Sequence, residues 1–187
     1  MNTVKGFLVI LLSSFLATEA KANLLLEFKQ QFIEGELKFS QTERTFQSQG
    51  QGLKIGYMGK YILAGIIIDK NQTKFNNSFG TQSSTSYSSG GIGTFLGFHF
   101  WDRLRIETTY LNSALEPNSN SSFRYFGQYF SYGLGFRIWK GLMINANQFT
   151  NHYTQSEDDD IGTTNGLSQN IKTSGQNISL SYIFVIR

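Results

Sequence analysis

The sequence predicts an all-β fold, an eight-stranded antiparallel up-and-down transmembrane β-barrel. Three observations point there. Apolar and polar residues alternate with the period of two that a strand with two unlike faces requires. The connections between alternating segments are short and long in strict turn. The composition is sparing in charge, 16% of 187 residues, with 19 Gly, 15% aromatics, one Pro and no Cys, where a soluble globular protein carries about 25% charged residues.

The first 22 residues stand apart. Lys5 precedes the apolar run "GFLVILLSSFL" (6–16), which is too short to span a bilayer as a helix, and Ala20-Lys21-Ala22 is a small-x-small cleavage site. These features predict a secretory signal peptide over 1–22 and a barrel domain over 23–187. Removing Lys5, Glu19 and Lys21 leaves the chain almost charge-balanced, so no nucleic-acid partner is implied. The absence of Cys excludes disulfides and thiolate metal sites.

Eight strands are expected near 24–37, 49–58, 61–71, 90–100, 103–113, 123–138, 142–152 and 171–186. The alternation is plainest in the sixth, where Phe126, Phe130, Tyr132, Leu134, Phe136 and Ile138 share one face and Gly127, Ser131, Gly133, Gly135 and Arg137 the other. Leu104, Ile106 and Tyr110 oppose Arg103, Arg105 and Glu107, while Ile178, Leu180, Tyr182, Phe184 and Ile186 oppose Asn177, Ser179 and Ser181. Only the third strand, "YILAGIIID", is apolar on both faces. Short turns are expected at Gly59-Lys60, Trp101-Asp102 and Trp139-Lys140-Gly141. Long polar loops are expected at 38–48, 72–89, 114–122 and 153–170. Tight turns on one rim and long loops on the other are what a membrane barrel built of repeated hairpins shows, with the turns periplasmic and the loops outside. The repeat is visible in the letters: "LGFHFWDRLRIETTY" (96–110) returns as "LGFRIWKGLMINANQ" (134–148).

The two faces settle which side meets lipid. The polar face is rich in Gly and poor in charge, which suits a crowded lumen and would waste the surface of a soluble calyx. Trp101 at a short turn and Tyr110 nine residues on lie about 21 Å apart in height, at roughly 3.3 Å per residue and a tilt near 45°, close to the apolar band between two aromatic girdles. Trp101, Tyr110 and Trp139 are therefore the expected membrane-interface aromatics.

This arrangement resembles the eight-stranded outer-membrane β-barrels of the OmpA and OmpX type. The hairpins "GIGTFLGFHFWDRLRIETTYL" (91–111) and "YFSYGLGFRIWKGLMINA" (129–146) carry the resemblance, with the last strand "NISLSYIFVI" (177–186). It implies an outer-membrane location, contact with lipid and lipopolysaccharide, insertion by the barrel-assembly machinery, a monomer, and no cofactor. Members of the family commonly end on an aromatic residue; this chain ends Ile186-Arg187, with Phe184 keeping the outward parity.

Parity sorts the charges as well. Glu27, Lys29, Lys54, Asp69, Arg103, Arg105, Glu107 and Arg137 are expected in the lumen. Buried charges are tolerable when paired, so they predict a network that fills the barrel and leaves a plug rather than an ion path. His99 is expected near the lower rim. An enzymatic alternative rests on "NQFTNHYTQSEDDD" (147–160), where His152 and Thr154 share a parity and vaguely resemble the His-x-Ser segment of lipid A deacylase barrels. No separate acid is identifiable to orient the base, and no catalysis is expected. The acidic run 157–160 lacks the ligand spacing of a calcium loop and reads as solvated. The polar stretch 76–90 is low in complexity and reads as a surface segment. The functional expectation is a non-enzymatic envelope protein, serving integrity or surface contact through its loops; a narrow porin-like channel is the alternative, and a lipid A modifying enzyme the second.

Overall fold

A computed structural model describes residues 23–39, 42–75, 86–100, 103–117, 123–158 and 163–186; the expected signal peptide lies outside them. The strands are β1 (Asn23–Phe39), β2 (Thr42–Met58), β3 (Ile62–Phe75), β4 (Ser86–Phe100), β5 (Leu104–Pro117), β6 (Phe123–Trp139), β7 (Leu142–Asp158) and β8 (Thr163–Ile186). Each pairs antiparallel with its sequence neighbours, and β1 pairs with β8 to close the barrel. Among the described residues no helix is long and apolar enough to cross a membrane, and in a closed barrel none is needed, because the sheet pairs its own backbone groups all the way round.

One face of every strand is apolar and exposed. On β1 it reads Leu24, Phe28 and Phe32; on β6, Phe130 to Ile138 at even positions; on β8, Ile178 to Ile186. Leu24 to Phe32 covers about 19 Å of height at roughly 3.3 Å per residue and a tilt near 45°, most of the roughly 25 Å band of membrane barrels. Phe28 packs edge-on against Phe184 across the β1–β8 seam that closes the sheet.

The turn end is tight. Lys140 and Gly141 alone join β6 to β7, and Gly141 takes φ 77°, a left-handed conformation that glycine adopts without steric cost. Trp139 beside it is 71% exposed, and Tyr110 stands outward at the other side of the belt at 43%. Trp101 lies outside the described residues.

At the loop end the structure corrects the expected boundaries. Thr42 to Ser48, expected in a loop, is strand and pairs with Phe39 to Ile33. β3 runs on to Phe75, β4 begins at Ser86, β5 reaches Pro117, β7 reaches Asp158 and β8 starts at Thr163. These extensions stand above the apolar belt, where the outward residues are polar, such as Thr45, Gln47, Gln72, Ser174 and Gln176. A strand polar on its outer face lacks the alternation that marks a membrane strand, so it reads as loop.

The lumen of that protruding half carries apolar clusters, interleaved with small polar side chains such as Ser48, Thr73, Asn151 and Thr173. Ile33, Phe46, Phe75 and Phe149 form one buried cluster, and Leu115, Tyr153 and Ile171 form another beyond it, with Leu37 and Tyr87 packed against both. Nearer the turn end a third cluster gathers Leu25, Leu63, Ile67, Phe95, Leu111, Met143 and Ile183. Tyr129 joins it to the Phe46 cluster. Rings touch in series from Tyr87 through Phe75, Phe46 and Phe149 to Tyr129, with centroids 5.0 to 6.4 Å apart.

Removing one ring from this series opens a cavity that the stiff sheet cannot collapse. Phe46→Ala is expected to destabilise the folded barrel by about 3–5 kcal/mol, read as a lower midpoint for urea unfolding in detergent; an unchanged midpoint would mean the ring is not packed in the lumen.

Candidate functional site: the charged lumen and the open mouth

Between the apolar clusters lies a belt of paired polar side chains. Arg105, 1% exposed, reaches across the lumen from β5 to β1 and grips both oxygens of Glu27, Nη1 to Oε2 at 2.5 Å and Nη2 to Oε1 at 2.8 Å. Lys54 donates to Glu107 and lies 3.5 Å from Glu27. Arg105 Nε faces Glu107 at 3.5 Å. The four side chains thus form a closed ring in which positive and negative alternate. A fork on a carboxylate is the strong form of this contact, and alternation gives every buried charge two opposite neighbours.

A second pair, Lys29 on β1 to Asp69 on β3 at 2.9 Å, lies higher in the lumen, and Gln31 donates to Asn71 at 2.6 Å above it. Both cross over a strand, from β1 to β3, and in each case the residue between them in register on β2 is glycine: Gly52 opposes Lys29 and Asp69, and Gly50 opposes Gln31 and Asn71. A methyl group on Gly52 would strike both Lys29 and Asp69. The same device recurs on β6, where Arg105 donates to Asn145 at 2.8 Å across Gly135, which opposes them both. Asn145 then donates to Ser181 and Ser179 at 3.0 and 3.3 Å, and Asn177 donates to Gln31 at 2.8 Å.

Of the lumen residues expected from parity, Glu27, Lys29, Lys54, Asp69, Arg105 and Glu107 therefore come together. Asp69 does so although its strand is apolar on both faces. Arg137 is half-buried at the turn end, outside the ring of ion pairs. Arg103 is a correction: it is exposed in the turn before β5, not in the lumen. Its amide donates to Phe100 at 3.3 Å and its carbonyl accepts from Arg137 at 2.7 Å, so the turn geometry overrides the alternation that would have carried it inward. His99, 7% exposed, is inside as expected.

The polar partners Asn145, Gln31, Asn71 and Asn177 were not singled out as site residues. Their signal is the lumen parity they share with the charges, and the glycines at 50, 52 and 135 that let long side chains pass. His152 and Thr154 are exposed on the outward face of β7, so neither points toward the lumen groups. Asp159 and Asp160 lie outside the described residues. Among the described residues no cluster of His, Asp and Glu could hold a metal ion.

Two voids flank this belt on the loop side. One, of about 50 Å³, sits among Gln31, Asp69, Asn71, Phe46 and Phe149, with room for only a few water molecules. The other, of about 310 Å³, is an open mouth lined by Phe75, Tyr87, Leu115, Tyr125 and Ile171, with Arg44 at its rim.

No protein-family model matches the sequence, and no curated protein sequence does. Among solved structures the chain is similar to Neisserial surface protein A, NspA, with a TM-score of 0.54 and 10% identity over 85% of this chain and 96% of that one. Ail, the attachment invasion locus protein of Yersinia pestis, gives 0.47 and 14% over 87% and 97%. OprG of Pseudomonas aeruginosa gives 0.42 and 9% over 87% and 96%. At this identity the likeness to NspA is one of fold, and the fold is that of the eight-stranded outer-membrane barrels.

Two substitutions test the belt. Glu27→Gln leaves Arg105 and Lys54 without their shared counter-charge, and is expected to cost about 3–5 kcal/mol, whereas Lys38→Gln, which breaks an exposed pair with Glu43, should leave the unfolding midpoint unmoved. Gly52→Val is expected to separate Lys29 from Asp69 and destabilise the wild type strongly, but to do less harm in a Lys29→Ala/Asp69→Ala background. Equal costs in both backgrounds would show that the glycine serves the backbone rather than the ion pair.

Proposed function

We propose, from the premise of an eight-stranded outer-membrane barrel fold, that the chain is an outer-membrane protein whose lumen is closed and whose work is done at the loop end, facing outward. A stable envelope element with a contact surface is the reading the geometry supports best. The observation that carries it is the occupied lumen: the ring of Glu27, Lys54, Arg105 and Glu107 is followed along the axis by the packed rings of Phe149, Phe46, Phe75 and Tyr87. A hydrated ion would have to break paired buried charges and then part close-packed aromatics, and both cost far more than thermal energy.

Location in the outer membrane is supported by the apolar belt on a barrel, and by the expected signal peptide. Orientation is supported by the contrast between the turn end, where two or three residues join the strands, and the longer connections 76–85, 118–122 and 159–162 at the loop end, where β1 and β2 alone are joined by as few as two. Lipid, lipopolysaccharide and the barrel-assembly machinery are the partners this reading requires, and monomeric insertion suffices because the sheet has no free edge. Catalysis is not part of the reading, since His152 and Thr154 are exposed on the outward wall of β7, on the opposite face from the lumen carboxylates of Glu27, Asp69 and Glu107.

Reconstituted in a planar bilayer at high salt, the protein is expected to give no discrete conductance steps, and an epitope inserted between Ser83 and Ser84 should be labelled on unbroken cells while one at Gly141 is labelled only after permeabilisation. Steps of uniform size would restore the channel; labelling at Gly141 alone would invert the orientation.

A further inference from the structure

The outward wall of the barrel changes from apolar to polar above the belt, and the lumen changes the opposite way at the same level. On β1 the outward residues run Leu24, Leu26, Phe28 and then Glu34, Glu36, Lys38, while the inward ones run Glu27, Lys29, Gln31 and then Ile33, Leu37. The loop-end half is therefore built like a soluble calyx, apolar within and polar without. Among the described residues, the interior is not filled to the top. Phe75, Leu115 and Ile171 form a buried floor, Tyr87 and Tyr125 stand half-buried as walls, and the space between them is about 310 Å³ and opens away from the membrane.

Apolar surface left open at a concave site is unfavourable in water, and 310 Å³ falls at the small end of the range for ligand pockets. The rim supplies the sign of the occupant. Arg44 is the charged residue lining this mouth, and its parity on β2 turns it inward, whereas Lys38 and Glu43 beside it pair with each other on the outer wall at 2.8 Å. Among the described residues Arg44 takes part in no ion pair. A cation would be welcomed by the tyrosine faces but repelled by this guanidinium, while a carboxylate would be met by a donor fork of matching shape.

We propose that the loop-end mouth binds a small amphipathic monoanion, its apolar body seated on Phe75, Leu115 and Ile171 between Tyr87 and Tyr125, and its carboxylate held by Arg44. This goes beyond the closed-lumen surface role and does not depend on it, since the pocket is the same whichever way the barrel faces. The site is a receptor or scavenging pocket rather than an entrance, because the Phe75 and Phe46 rings close the way below it.

The test uses the full chain in lipid nanodiscs, with 2-naphthoate as probe and 2-naphthylmethanol as its neutral isostere, each measured by equilibrium dialysis against empty nanodiscs. Naphthoate is expected to bind saturably at one site and about tenfold more tightly than the alcohol. Arg44→Gln should abolish that preference while keeping the alcohol's affinity, and Leu115→Trp, which fills the floor, should remove saturable binding of both. Circular dichroism and unchanged heat-modifiable mobility check that each variant is folded. Binding no greater than to empty nanodiscs, or naphthoate binding undiminished in both folded variants, would overturn the proposal. Conductance is scored separately, so failure here leaves the closed-lumen reading to its own test.

Discussion

Everything in this molecule follows from one requirement: within hydrocarbon no backbone N–H or C=O finds water, so each must pair inside the protein. Strands meet that requirement only as a closed sheet, and the β1–β8 pairing from Leu24↔Ile186 to Lys38↔Lys172 is what closes it. Closure with eight strands leaves a lumen about as wide as the side chains that fill it. The outward face must then be apolar, and whatever polar groups the inward face carries must satisfy one another. The alternating ring of Glu27, Arg105, Glu107 and Lys54 is the result. Its glycines have a related task, since a barrel this narrow brings side chains two strands apart within bonding reach if the residue between them is small, as at Gly52 and Gly135.

Above the belt the requirement lapses, and the barrel turns its polarity inside out without interrupting a strand. Glu34 and Lys38 face outward on the same strand whose Leu24 and Phe28 face lipid, and Phe46 and Phe75 fill a lumen that is charged lower down. Two opposite solvent problems are solved by one continuous sheet, with the change of environment written into each strand at the level where it leaves the membrane. The apolar upper lumen seals the barrel and also leaves a lined mouth.

Much of the fold was legible, because a period of two is a one-dimensional signal and survives in the letters. Phe126 to Ile138 announces its faces without any knowledge of its neighbours, and the charges of Glu27, Lys54, Arg105 and Glu107 fall on the inner parity for the same reason. Their pairing was not legible, since it depends on which residues stand level across the lumen, a property of register and closure. Arg103 shows how the rule fails at a turn, where the chain rotates out of the alternation. Phe46 and Phe75 were missed because each is a single aromatic in a polar segment, and the residues around them, such as Thr45, Gln47 and Lys74, suggest loop until the sheet is seen to continue; Phe149 lies in an expected strand, but which rings it meets depends on register and closure. Gly50 and Gly52 read as generic small residues until the bridges over them are seen.

The central claim is that the level of solvent reversal lies between the belt and the loop end, and spin labels placed along one strand test it most directly. Single cysteines at the outward positions Tyr182, Leu180, Ile178, Gln176, Ser174 and Lys172 of β8, labelled and reconstituted in bilayers, would be compared for collisions with oxygen and with a water-soluble nickel chelate. The account predicts oxygen-dominated collisions at Tyr182, Leu180 and Ile178, and nickel-dominated collisions at Ser174 and Lys172, with the crossover near Gln176. Nickel-dominated collisions along the whole strand would contradict it, making the chain a water-soluble calyx, and oxygen-dominated collisions as far as Lys172 would place the upper half in lipid and leave its polar wall without a cause.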